Sequence, residues 1–210
     1  MLDVGCGKGE WLVRALERLG GTGLGIEPNP AFAADARVRA EARLGAGRVR
    51  IEEAEFAPEL VGRERFPLVI CTGSLHAFGD WDQALRGAAS LVLPHGHALL
   101  APGYWKREPA RDYLDVLGAQ PDEMHSLEDT LARAAAAGWQ VIAAHESTAA
   151  EWDAYEHAYA ANVRAWCAAN AAESDAPAFR GRIERWAAAY ARWGRDTMGY
   201  VLVLLQRRTD

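Results

Sequence analysis

The chain has 210 residues, half of them apolar, and a formal net charge of −6. Those values fit one α/β domain with a large buried core and exclude a disordered chain. They also argue against nucleic acid or an anionic membrane as the main partner, because neutralising phosphates needs a basic surface.

Taken in chain order, "MLDV", "GLGIE", "RVRIEE", "PLVICT" and "HALLAP" read as short strands that end near Gly, Pro or acidic residues. Between them, "EWLVRALERLG", "PAFAADARVRAEARLG" and "DWDQALRGAASLVL" carry helical periodicity, with Gly20 and Gly45 placed as C-caps. Residues 111–118 read as a short helix and 119–125 as a loop. "SLEDTLARAAAAG" reads as a further helix, with Ser126 as N-cap and Gly138 as the stop. "WQVIAAHES" and "GYVLVLLQRR" read as the final strands, separated by about fifty residues of helical pattern. The expectation is one domain over 1–210: a doubly wound, mostly parallel seven-stranded α/β sheet with helices on both faces. A helical insertion at about 149–195 lies between the last two strands.

Three cysteines form no CxxC pair, which suits a reducing compartment. No apolar run approaches the roughly 18 residues of a membrane span, and the N-terminus reads as a Gly-rich loop rather than a signal peptide. A cytoplasmic protein without a metal centre is expected.

The loop Asp3-x-Gly5-x-Gly7-x-Gly9 ends a strand and opens a helix at about Glu10. Glycines there let backbone N–H groups approach a ligand near a helix N-terminus. Glu10 stands where a dinucleotide fingerprint has its third glycine, so the fit to a nicotinamide cofactor is poor. Glu27 ends the next strand, twenty positions after Gly7, where a carboxylate can accept hydrogen bonds from both hydroxyls of a ribose.

On these residues the chain resembles the class I, Rossmann-like S-adenosylmethionine (SAM) dependent methyltransferases. "LDVGCGKG" resembles their first motif, "GIEPN" their ribose-binding loop and "VRIEEAEF" the region of their third strand. The resemblance implies that Asp3, Gly5, Cys6, Gly7 and Gly9 cradle the cofactor, with Glu27 and Pro28 at its ribose. It places Glu55, where the family has Asp, and Phe56 at the adenine. "PLVICTGSLHAFGD" is similar to their fourth strand and its loop, which adds Thr72 and Gly73. Motifs for amino-nitrogen, cytosine-C5 and arsenite methylation are absent, which leaves a small organic acceptor with no nucleic acid or membrane partner. The spelling resembles bacterial small-molecule methyltransferases. The alternatives are a non-catalytic module binding SAM or S-adenosylhomocysteine, and a nicotinamide-dependent oxidoreductase.

His76 follows strand four, at the crevice where such sheets bind ligands. It is the candidate general base, or else a wall residue that orients the acceptor. Late in the chain, Trp152, Tyr155, Tyr159 and Trp166 share one helical face, as do Phe179, Ile183, Trp186, Tyr190 and Trp193. Most of these residues serve to pack two helices together. Tyr104, Trp105, Trp152 and Tyr155 are expected to line the acceptor cavity.

Only Met1 to Val4 precede Gly5, although a typical strand has about 5–6 residues. A charged terminus in mid-strand implies a chain that is truncated at its N-terminus and extends upstream in its functional form.

Overall fold

The chain opens with β1 (Leu2–Val4), α1 (Glu10–Leu19), β2 (Gly23–Ile26), α2 (Pro30–Leu44), β3 (Val49–Glu52), β4 (Phe66–Thr72), α3 (Trp81–Leu91) and β5 (Val92–Ala101). It continues through β6 (Gly103–Trp105), α4 (Arg111–Leu117), α5 (Leu127–Ala136), β7 (Trp139–Glu146), α6 (Ala149–Ala169), α7 (Ala176–Ala189), α8 (Arg195–Thr197) and β8 (Met198–Arg207). This is a computed structural model, and it describes residues 1–208. Two units divide the chain: Met1–Pro102, Asp129–His145 and the residues from Leu202 onward form one, and Gly103–Glu128 with Glu146–Val201 form the other.

In the first unit the sheet runs β3-β2-β1-β4-β5-β8. The first five strands pair in parallel, and β8 joins β5 antiparallel, with Ala98 opposite Leu205. All three residues of β1 are buried, in register as Leu2–Leu24, Asp3–Gly25 and Val4–Ile26. Strand order reverses between β1 and β4, and ligands bind at such a switch point, beyond the strands' carboxyl ends.

Local sequence explains the flanking helices. Leu12, Val13 and Leu16 form the buried face of α1. In α2, Asn29 caps the N-terminus by accepting from the N–H groups of Ala31 and Phe32, and Pro30 presets the first turn. The buried face of α2 is Ala33, Ala36 and Ala40, small enough to bring its backbone close to the glycine loop. Asp80 and Gln83 close a capping box on α3. Trp81 and Trp139 then donate their indole N–H groups to the carbonyls of Thr130 and Leu85.

The expected doubly wound α/β fold is present, with two corrections. Among the described residues there are eight strands, not seven, because Gly103–Trp105 pairs with Met198–Tyr200 at the start of the ten-residue β8. The third helix stops at Leu91 rather than running through "LVL", since Val92 is already extended and pairs with Phe66. The register then jumps from Phe66–Val92 to Leu68–His97, and His95 takes a left-handed φ of 60° in the bulge. The Met1 ammonium is not the unpaired charge the sequence implied: it is partly exposed and donates to the Thr22 carbonyl at 2.8 Å.

In the second unit Trp105, Tyr113, Leu114 and Ala189 make a buried cluster. The helices of the insertion are α6, α7 and α8, with a π-turn at Tyr190–Gly194. An Arg164–Glu184 ion pair joins α6 to α7. Trp166 meets Phe179 across the two helices with ring centroids 5.6 Å apart.

Candidate active site

The glycine loop after β1 folds back on β2. The N–H groups of Gly5 and Cys6 both donate to the Ile26 carbonyl, at 2.8 and 3.0 Å. Gly5, Gly7 and Gly9 all take positive φ, at 67°, 53° and 76°, which side-chain-bearing residues rarely adopt. Gly5 is also required by close approach, because a Cβ there would lie 2.2 Å from Ser74 Oγ. At Gly7 nothing lies within 4 Å of the same position, so the backbone opens onto a crevice.

That crevice encloses about 540 Å³, within the roughly 300–1,000 Å³ of small-molecule sites. Its walls include Gly5, Gly7, Glu27, Pro28, Glu55, Phe56, Thr72, Gly73 and His76, all singled out from the sequence. Glu27 is 7% exposed, and each of its oxygens accepts one backbone N–H: Oε2 from Gly7 at 2.8 Å and Oε1 from Asn29 at 2.9 Å. A carboxylate has about four lone-pair sites, so each oxygen keeps one for a ligand hydroxyl. On the opposite wall the half-buried Phe56 ring is held by Phe78, with centroids 4.9 Å apart.

His76 sits on a one-turn 3-10 helix, Leu75–Ala77, between two anchors. Before it, the Ser74 hydroxyl donates to the carbonyls of Val4 at 3.0 Å and Gly5 at 3.2 Å, tying the β4 loop to the glycine loop. After it, the chain passes Gly79 into the capping box of α3. The imidazole is exposed on the crevice wall.

Asp3, Cys6 and Gly9 lie under the loop rather than on the crevice wall. The Cys6 side chain packs with Leu12, Leu16, Ala33, Ala36 and Ile51. Gly9 caps α1, where a Cβ would come within 3.1 Å of the Ala36 Cβ. Asp3 is 2% exposed and its Oδ2 has no partner. Burial first, and Glu27 in addition, push its carboxyl up to about 7. Burial also drives the thiols of Cys6 and Cys71 up to about 12, so neither supplies a thiolate at neutral pH.

Glu10, at the third-glycine position of a dinucleotide fingerprint, faces α2. Its carboxylate pairs with Arg39 and with Arg43, and these partners with Arg14 lower it to about 2. Among the described residues that line the crevice there are two carboxylates, Glu27 and Glu55, and no lysine or arginine. Such a lining disfavours a pyrophosphate and favours a ligand carrying positive charge.

Ser74 and Phe32 line the crevice but escaped the sequence reading. Ser74 gives only a weak signal, a small polar residue directly after the Thr72-Gly73 strand end. Phe32 was detectable as an aromatic side chain in the first turn after Glu27; the Lys8 ammonium lies 5.5 Å from its ring centre.

The residues assigned to the acceptor lie in the second unit. Tyr104 is 3% exposed, with its hydroxyl donating to Glu146 Oε2 at 2.5 Å. Trp105 is buried and donates its indole N–H to the Pro121 carbonyl. Trp152 stacks between Tyr200 and Tyr155, at 5.9 and 5.8 Å, and Tyr155 is 60% exposed.

The fold and the crevice resemble those of the class I, Rossmann-like SAM-dependent methyltransferases, and residues 2–98 match the model of a methyltransferase domain. A SAM-dependent methyltransferase from Geobacter sulfurreducens, crystallised with S-adenosyl-L-homocysteine, superposes with a TM-score of 0.89 at 27% identity, over 99% of this chain and 84% of that one. One from Thiobacillus denitrificans, also with S-adenosyl-L-homocysteine, gives 0.88 at 26%, over 99% and 84%. The crystal structure of YjhP from Escherichia coli gives 0.87 at 26% identity, over 99% of this chain and 85% of that one. In sequence, YjhP of strain K12, an uncharacterized protein, is 28% identical over 214 residues, covering 99% of this chain and 84% of YjhP. Among the described residues no cluster of metal ligands occurs, and no helix is long and apolar enough to cross a membrane.

Proposed function

We propose that the crevice holds S-adenosylmethionine and that the protein transfers its methyl group to a small organic molecule, as an EC 2.1.1 enzyme of the cytoplasm. The observation that carries this reading is Glu27, fixed through both oxygens by the loop and by α2 while keeping acceptor capacity toward the crevice. The residues present fit the cofactor. Gly7 leaves room for close backbone approach, Glu27 meets the ribose, and Glu55 and Phe56 offer an acid and a ring to the adenine. Thr72 and Gly73 line the same wall, and Asp3, Cys6 and Gly9 hold the loop from below.

When bound, SAM supplies a methyl group on a positively charged sulfonium. The chain's part is alignment and exclusion of water. Glu27 and Glu55 set a negative field that suits the sulfonium. His76 orients the acceptor or takes its proton. Tyr104, Trp105, Trp152 and Tyr155 of the second unit are the aromatic residues we assign to the acceptor.

The test follows isotope from methyl-labelled SAM into the small molecules of a deproteinised cell extract. Labelled product is expected from the native protein. For His76→Ala, a fall in kcat of about 10²–10⁴ with SAM affinity kept assigns proton removal, whereas a rise mainly in KM assigns orientation. SAM binding without labelled product would replace this reading with a non-catalytic SAM-binding module.

A further inference from the structure

A second cavity, of about 370 Å³, lies within the second unit between α6 and α7. Its walls are aromatic: Tyr155 and Tyr159 from α6, Phe179 and Trp186 from α7. The Tyr155 and Tyr159 rings are stacked nearly parallel, at an angle of 5°. In this apolar lining sits Glu156, which is only 6% exposed.

A buried carboxylate on a helix face is costly unless it is paired. Glu156 accepts one hydrogen bond, from the Trp186 indole N–H to Oε2 at 2.7 Å. Bases that share its other surroundings are committed elsewhere: Arg195 to Asp153, and Arg164 to Glu184. Burial raises the carboxyl above its usual range and outweighs the Trp186 hydrogen bond and the nearby His157, which draw it down. Arg182 is the base on the cavity wall. It is exposed, and its guanidinium lies 4.4 Å from the centre of the Phe179 ring, so that ring already hosts a cation. Water screens the exposed Arg182 more than the buried Glu156, so the interior of the cavity is the negative end.

We propose that this cavity is a binding site for an organic ammonium ion, with Glu156 as its counter-charge and the aromatic rings as its walls. Ring faces attract alkylated ammonium groups, and a desolvated carboxylate adds Coulomb attraction that a neutral guest of the same shape forgoes. Arg182 is placed to take an anionic tail if the guest is a zwitterion. The site is read by binding alone, so it stands apart from the methyl-transfer reading, although Tyr155 serves both.

The experiment titrates the full chain with choline and with 3,3-dimethylbutan-1-ol, its neutral isostere, by calorimetry. Choline is expected to bind at least about tenfold more tightly than the alcohol. Glu156→Gln keeps an acceptor for Trp186 and removes the charge; it should erase that preference while SAM affinity stays unchanged. Tyr159→Leu, on the exposed face, should weaken choline binding without a change in melting temperature, and it decides the matter if Glu156→Gln does not fold. Equal affinity for the two guests, no heat with choline at millimolar concentration, or undiminished choline binding in a folded variant would overturn the proposal.

Discussion

The crevice of the first unit is shaped at its turning points by backbone, whereas the cavity of the second unit is shaped by side chains alone. Around the crevice, positive φ values at Gly5 and Gly7, two N–H groups shared on the Ile26 carbonyl and two more on Glu27 fix the geometry. Around the cavity, four rings and one carboxylate on two helices fix it. A backbone site tolerates few residue types at its turning points, since strain and close approach both penalise a Cβ. A side-chain site tolerates many frameworks and few ring or charge changes. The first therefore writes a motif into the sequence, and the second writes only a periodicity.

The sharpest break of that comparison is Gly5→Ala. Left-handed strain costs about 1–2 kcal/mol, and the 2.2 Å clash with Ser74 Oγ adds about 1–3 kcal/mol of overpacking. We expect a lower melting temperature together with SAM affinity reduced at least a hundredfold. Gly7→Ala carries similar strain at φ 53° but meets open space, so it should cost less stability while still obstructing the crevice. Equal melting temperatures for Gly5→Ala and the native protein would remove close approach as the reason for that glycine.

A comparable effect belongs to Asp3. Its carboxyl, ordinarily at 3.8, stands at about 7 in the folded protein because it is buried. The folded state therefore binds the proton more tightly than the unfolded one. Stability from this group is fully present below about pH 3.8 and declines until the pH passes about 7. The loss is on the order of 4 kcal/mol. Asp3→Asn should flatten this pH dependence and stabilise the ligand-free protein at pH 8. Urea unfolding across that range checks it, and identical slopes in the two proteins would remove Asp3 as the source.

Much of the first unit was legible for the reasons just given. The glycine loop, Glu27 and the Thr72-Gly73 strand end are local features, readable within a few residues of each other. Ser74 was not, because its function is a contact with Val4 and Gly5, seventy positions earlier. The three residues of β6 had no pattern of their own and are a strand only because Met198–Tyr200 pairs with them. The aromatic faces of α6 and α7 were readable from their spacing. The burial of Glu156 was not, since an acid in a helix reads as a solvated position until the neighbouring helix covers it.

The central claim is that the crevice binds SAM through Glu27, and calorimetric titration of SAM into the native protein and Glu27→Ala tests it most directly. A charge-assisted hydrogen bond contributes about 1.5–3 kcal/mol. The account predicts SAM affinity reduced about 10- to 150-fold in the variant, with the melting temperature little changed. Unchanged affinity in a folded Glu27→Ala protein would contradict it.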